Sequence, residues 1–175
     1  MREAVRSASR SALLAALVAP LLVVSPRASS ADGRGPLVEP RLGPLVHRTV
    51  ERAASRLAVP GCAMLLDDFA DVRSGEPLSR ALAASGRGPS DVFASLRFVD
   101  ADHMVQCRRR ATWAWVPVGA DVVFVCRNRF TDLVRKDERL AGNVLVHEAL
   151  HTLGLGENPP SSEEITAAVV RRCGR

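Results

Sequence analysis

Hydrophobic residues return every three or four positions at Val46, Val50, Ala53 and Leu57, which predicts a helix over residues 44–58. Pro44 suits its first turn, and Pro60-Gly61 suits its end. Leu78 and Leu82 predict a second, short helix over 76–84. After a loop at 86–89, Ser90 is placed to cap a turn carrying Val92, Phe93 and Leu96. The pattern then becomes strand-like. Residues 96–99, 111–116 and 121–126 read as strands, the last of them, DVVFVC, being the clearest. Residues 117–120 turn the chain between the second and third, with Gly119 able to take a positive φ. A long helix follows over 137–153, opened by acidic Asp137 and Glu138. Val146, Leu150 and Leu153 form its buried stripe, while Val144, His147, Glu148 and His151 face a cleft. Ser161-x-x-Glu164 is a capping box opening a last helix, whose Ile165, Val169 and Cys173 share one face. The expected class is α+β, with helices on a small, mostly antiparallel sheet over residues 44–175. A Gly- and Pro-rich extended lead-in is expected at 32–43.

The start of the chain has a different character. Arg2, Arg6 and Arg10 precede an apolar run at 11–24, too short to span a bilayer comfortably. Ser29 and Ala31 then occupy the −3 and −1 positions of a cleavage site, so residues 1–31 read as a secretory signal peptide. The implied location is secreted or periplasmic, with no stable membrane anchor once the leader is removed. The leader also changes the charge. The whole chain has a net charge of +5, but the four arginines and one glutamate of residues 1–31 account for three of those charges, leaving +2. A basic balance that small does not predict a nucleic-acid partner. The one local basic cluster, Arg108, Arg109 and Arg110, reads as a solvated loop in preference to a phosphate site.

Cys62, Cys107, Cys126 and Cys173 all lie beyond the leader, and an even count in an exported chain predicts two disulfides. No C-x-x-C pair is present to suggest thiolate coordination of a metal. Of the three possible pairings, the preferred one joins Cys107 to Cys126 across the candidate hairpin and Cys62 to Cys173 across the ends of the domain.

The chemistry concentrates in NVLVHEALHTLGLGENPP, residues 143–160. On a helix His147 and His151 lie one turn apart on one face and present two imidazoles, which suit zinc. Glu148 is carried to the same opening, where it can take a proton from water at the metal. Gly154 can end the helix in the left-handed conformation, so that Glu157 swings back as a third ligand. Glu163 and Glu164 compete for that role, although Glu164 already serves the capping box. The stretch resembles the zincin metallopeptidases, and among them the metzincin pattern H-E-x-x-H-x-x-G-x-x-H or Asp, with Glu157 in the last position. From about Cys107 onward the chain also resembles a small family of exported bacterial proteins presumed to be zinc peptidases.

That resemblance implies a minimal zincin-like domain with its active-site helix near the C-terminal end and Zn2+ as cofactor. It also implies a peptide or protein substrate, cleaved with Glu148 as general base. It places an antiparallel edge strand along the cleft, within residues 113–126, to grip the substrate main chain. Trp113 and Trp115 share one strand face and belong either to the core or to the substrate pocket. Two departures stand out: no Met follows Met104 to make a Met-turn, and the chain has no Tyr. A side chain stabilising an oxyanion would therefore be His103, Asn158 or an arginine, unless zinc acts alone. The competing expectation is a non-catalytic exported binding module with a structural zinc or a vestigial site.

Overall fold

The computed structural model describes residues 35–174; the leader expected over 1–31 lies outside them. Strand β1 (Leu37–Val38) and a 3-10 turn (Pro40–Leu42) lead into α1 (Gly43–Leu57), which buries Val46, Val50, Ala53 and Leu57 as the period requires. Pro60 stops that helix and opens the next, since proline is tolerated only in a first turn. The short helices α2 (Pro60–Ala63), α3 (Leu65–Asp68), α4 (Leu78–Ala84) and α5 (Asp91–Ala94) follow. Ser90 precedes α5 but makes no capping bond; the Asp91 carboxylate instead accepts from the Gly88 amide at 2.7 Å. The remaining elements are β2 (Arg97–Asp100), a 3-10 turn (Val105–Arg108), β3 (Ala114–Trp115), β4 (Val122–Val125), α6 (Arg127–Lys136), α7 (Glu138–Thr152) and α8 (Ser162–Cys173).

The sheet corrects the expected strand directions. Its order is β1-β2-β4-β3, with β1–β2 and β2–β4 parallel and only β3–β4 antiparallel. The sheet is therefore mixed, not mostly antiparallel. Connection length explains it: the tight turn after β3 can only make a hairpin, whereas the helices between β1 and β2 carry the chain back to start in the same direction. Of the lead-in expected to be extended over 32–43, Leu37 and Val38 are a strand that pairs with Arg97 and Phe98 and extends the sheet. Pro40–Leu42 instead form a 3-10 turn, and Gly43 already opens α1.

The core fills the space between helices and sheet. Val46 and Val50 of α1, Phe98, Val123 and Val125 of the sheet, and Leu145 and Leu150 of α7 are among its fully buried members. Helix α6, which the hydrophobic pattern alone does not reveal, buries Phe130, Leu133 and Val134 in the same core. Both preferred disulfides are present: Cys62–Cys173 ties α2 to the end of α8, and Cys107–Cys126 ties the second 3-10 turn to the end of β4. Among the described residues, no helix is long and apolar enough to cross a membrane.

Candidate metal centre

Helix α7 starts where its sequence says it should, with the Asp137 side chain accepting from the Leu140 amide at 2.9 Å. One turn from its end, His147 and His151 bring their Nε2 atoms to 3.0 Å of each other. Gly154, at φ 102, then turns the chain in a conformation that side chains rarely adopt. A Cβ there would also collide with the Asp71 carboxylate. The turn delivers two groups to the imidazoles. The Leu155 carbonyl accepts from His151 Nδ1 at 2.7 Å, and Glu157 Oε1 lies 3.5 Å from His147 Nε2 and 3.4 Å from His151 Nε2.

The hydrogen bonds set the chemistry of these donors. A carbonyl accepts only, so His151 carries its proton on Nδ1 and presents an Nε2 lone pair inward. The Thr166 hydroxyl of α8 lies 3.0 Å from His147 Nδ1 and can accept a hydrogen bond from a proton held there, which frees that Nε2 in the same way. Burial, reinforced by the nearby His151, pulls the His147 pKa down to about 4 against the opposing pull of Glu157, so this imidazole is neutral at pH 7. Burial, with Glu157's charge adding to it, pushes the Glu148 carboxyl up to about 8. A carboxyl poised near neutrality is suited to take up and return a proton.

Among the described residues, His147, His151 and Glu157 form the one group of three or more ligating side chains close enough to hold a single ion. Their separations suit zinc, whose bonds of about 2.0–2.2 Å in a tetrahedron set donors roughly 3.4 Å apart. Two nitrogens and a carboxylate oxygen are also a zinc donor set, and three protein ligands leave a fourth position open. Glu163 and Glu164 do not join: Glu164 accepts from the Ser161 amide at 2.8 Å in the capping box, and Glu163 is exposed.

The donors open into a cavity of about 420 Å³ whose wall includes Trp113, Ala114, Trp115, Val144 and Glu148. β3 is the edge strand, and its turn is pinned to the motif helix by the Gly119 amide donating to the His151 carbonyl at 2.8 Å. Trp113 does both jobs, packing on the core and lining the cavity, whereas Trp115 lines the cavity and stacks on the half-buried Phe124 at 4.2 Å. Of the oxyanion candidates, His103 and Asn158 lie outside the cavity wall and Arg109 lies within it. Thr166 and Ser162, which sequence reasoning missed, also line the cavity. Their signal was their i, i+4 spacing on the last helix, off the face of Ile165 and Val169.

No protein-family model matches the chain, and no curated protein or solved structure does so either. The geometry defines a small α+β domain in which two buried histidines meet an exposed carboxylate beside a strand edge.

Proposed function

We propose that this chain is an exported zinc-dependent peptidase. The observation that carries the reading is the convergence of His147 Nε2, His151 Nε2 and Glu157 Oε1 beside the buried Glu148, in a cavity bounded by an edge strand. His147, His151 and Glu157 would hold the ion, and zinc there supplies Lewis-acid chemistry, acidifying water and polarising a carbonyl. The rest is work for the protein's own groups. Glu148, in its carboxylate form, takes a proton from the attacking water and returns it to the leaving amine. Thr166 and the Leu155 carbonyl keep both rings aimed inward. Among the described residues the outer side of β3 pairs with no strand, so an extended peptide can add to it through its main chain. Two disulfides fit an oxidising compartment, in keeping with the leader read from residues 1–31.

One observation favours the non-catalytic alternative. Thr166, His147, His151 and the Leu155 carbonyl can close a hydrogen-bonded chain without a metal, bracing the end of α7 on α8. The two readings separate on Glu148→Gln. In a peptidase, wild type and variant both retain equimolar zinc, and peptide cleavage falls by about 10²- to 10⁴-fold in the variant. Metal analysis paired with a peptide-cleavage screen measures both. Zinc that resists chelators in a chain that cuts nothing would establish the bracing module instead.

A further inference from the structure

We propose that Arg109, flanked in sequence by Arg108 and Arg110, forms a carboxylate-docking site on the cavity wall, so that the preferred substrate is an acidic peptide. The proposal rests on the peptidase reading. Three observations support it. Arg109, with Gln106 and Thr112, lines the same cavity as His147 and Glu148, and among the described lining residues it is the sole arginine or lysine. The loop that carries it is held rigidly. The Cys107–Cys126 disulfide anchors its base, Arg129 donates to the carbonyls of Arg109 and Arg108, and the Thr112 amide donates to the Arg109 carbonyl at 3.2 Å.

The third observation is charge. The carboxylates nearest in sequence, Asp100 and Asp102, are both engaged by Arg127, at 2.9 and 3.2 Å. Among the described residues, Arg108, Arg109, Arg110 and Arg129 make no ion pair. Arg109 thus stands on the cavity wall outside any ion pair, although Glu148 and Glu157 line the same cavity. A solvated basic residue needs no such anchoring; a fixed cation discriminates by charge and steers anions toward it. Guanidinium also matches a carboxylate fork to fork. A peptide running along β3 passes from the His-His-Glu cluster toward Thr112 and Arg109, which brings its carboxylates to that arginine. Those carboxylates are either Asp and Glu side chains or the C-terminus itself.

The test uses one extended peptide with Glu, Gln or Lys at successive positions, each with a free or an amidated C-terminus. Binding is measured on the zinc-loaded Glu148→Gln chain, and cleavage on wild type. Glu peptides should bind roughly three- to tenfold more tightly than Gln peptides at low salt, with the difference shrinking as salt rises. Arg109→Glu should reverse the preference toward Lys, while Arg48→Glu, an equal charge change on α1 outside the cavity wall, should preserve it. A preference that disappears on amidation alone assigns the site to the C-terminal carboxylate. Equal binding of all peptides, or a preference unmoved by Arg109→Glu, overturns the proposal. So does tighter binding, by the same arginine, of an oligonucleotide or an anionic lipid vesicle. If no peptide is cut yet the charge preference in binding persists, the docking site stands and the peptidase reading falls. If peptides are cut with no charge preference, the peptidase reading stands and the docking site falls.

Discussion

Thr166 reaches His147 from a different helix, and its hydroxyl is the only side-chain partner that the first imidazole has on its Nδ1 side among the described residues. A ligating histidine whose outer nitrogen loses its acceptor is free to rotate and is a weaker donor. Thr166→Val keeps the shape and removes the hydroxyl, so zinc affinity should fall by about 10- to 100-fold while the fold persists. A chelator-competition titration reads this directly, and an unchanged affinity would show that His147 does not ligate through Nε2. The same burial that makes Thr166 matter acts in two directions. It keeps His147 neutral and raises Glu148 toward neutrality, because a dry site penalises whichever form carries charge. One cause therefore favours the uncharged form of both groups, which leaves the imidazole a free lone pair and the carboxyl its proton.

At the scale of elements, the end of α7 carries more of the site than its middle. Gly154 turns the chain at φ 102, and the next three residues supply both the Leu155 carbonyl and Glu157. Gly154→Ala introduces a strained backbone and a clash with Asp71, so it should cost about 1–3 kcal/mol in denaturant unfolding and weaken zinc binding together. Loss of stability without loss of zinc would detach the turn from the metal. This is also why the heart of the site was legible in the sequence. His147, Glu148, His151, Gly154 and Glu157 lie within a short stretch of chain, so helical geometry alone relates them. Thr166, Gln106 and Arg109 were not legible, because tertiary packing brings them in from α8 and the disulfide-held loop. The same division holds for the fold. The helical period at Val46, Val50, Ala53 and Leu57 is local and repeats over about three turns. Strand directions depend on partners far apart in sequence, and a strand as short as Leu37–Val38 carries no period at all. Helix α6 was missed because charged residues crowd its three buried positions, Phe130, Leu133 and Val134.

At the scale of the whole molecule, the two disulfides close loops of very different size, and their consequences should separate accordingly. Cys62–Cys173 joins residues 111 apart, and Cys107–Cys126 residues 19 apart. If a cross-link acts by restricting the unfolded chain, these separations correspond to about 4.8 and about 3.2 kcal/mol. Replacing Cys62 and Cys173 with alanine should therefore destabilise the chain by about 1.6 kcal/mol more than replacing Cys107 and Cys126. The functional ranking should run the other way. The short staple anchors the loop that carries Arg109 on the cavity wall, so under the docking proposal its removal should blur the acidic preference while zinc binding survives on α7. The long staple holds α2 to the tail of α8, whose other end is already secured by the Ser161–Glu164 capping box. Its removal should lower the unfolding midpoint and leave peptide preference intact below it. Denaturant unfolding and peptide binding of the two double variants settle the matter. If the Cys107–Cys126 pair proves the more stabilising, chain entropy is not what these bridges supply, and native packing around the short loop must carry the difference.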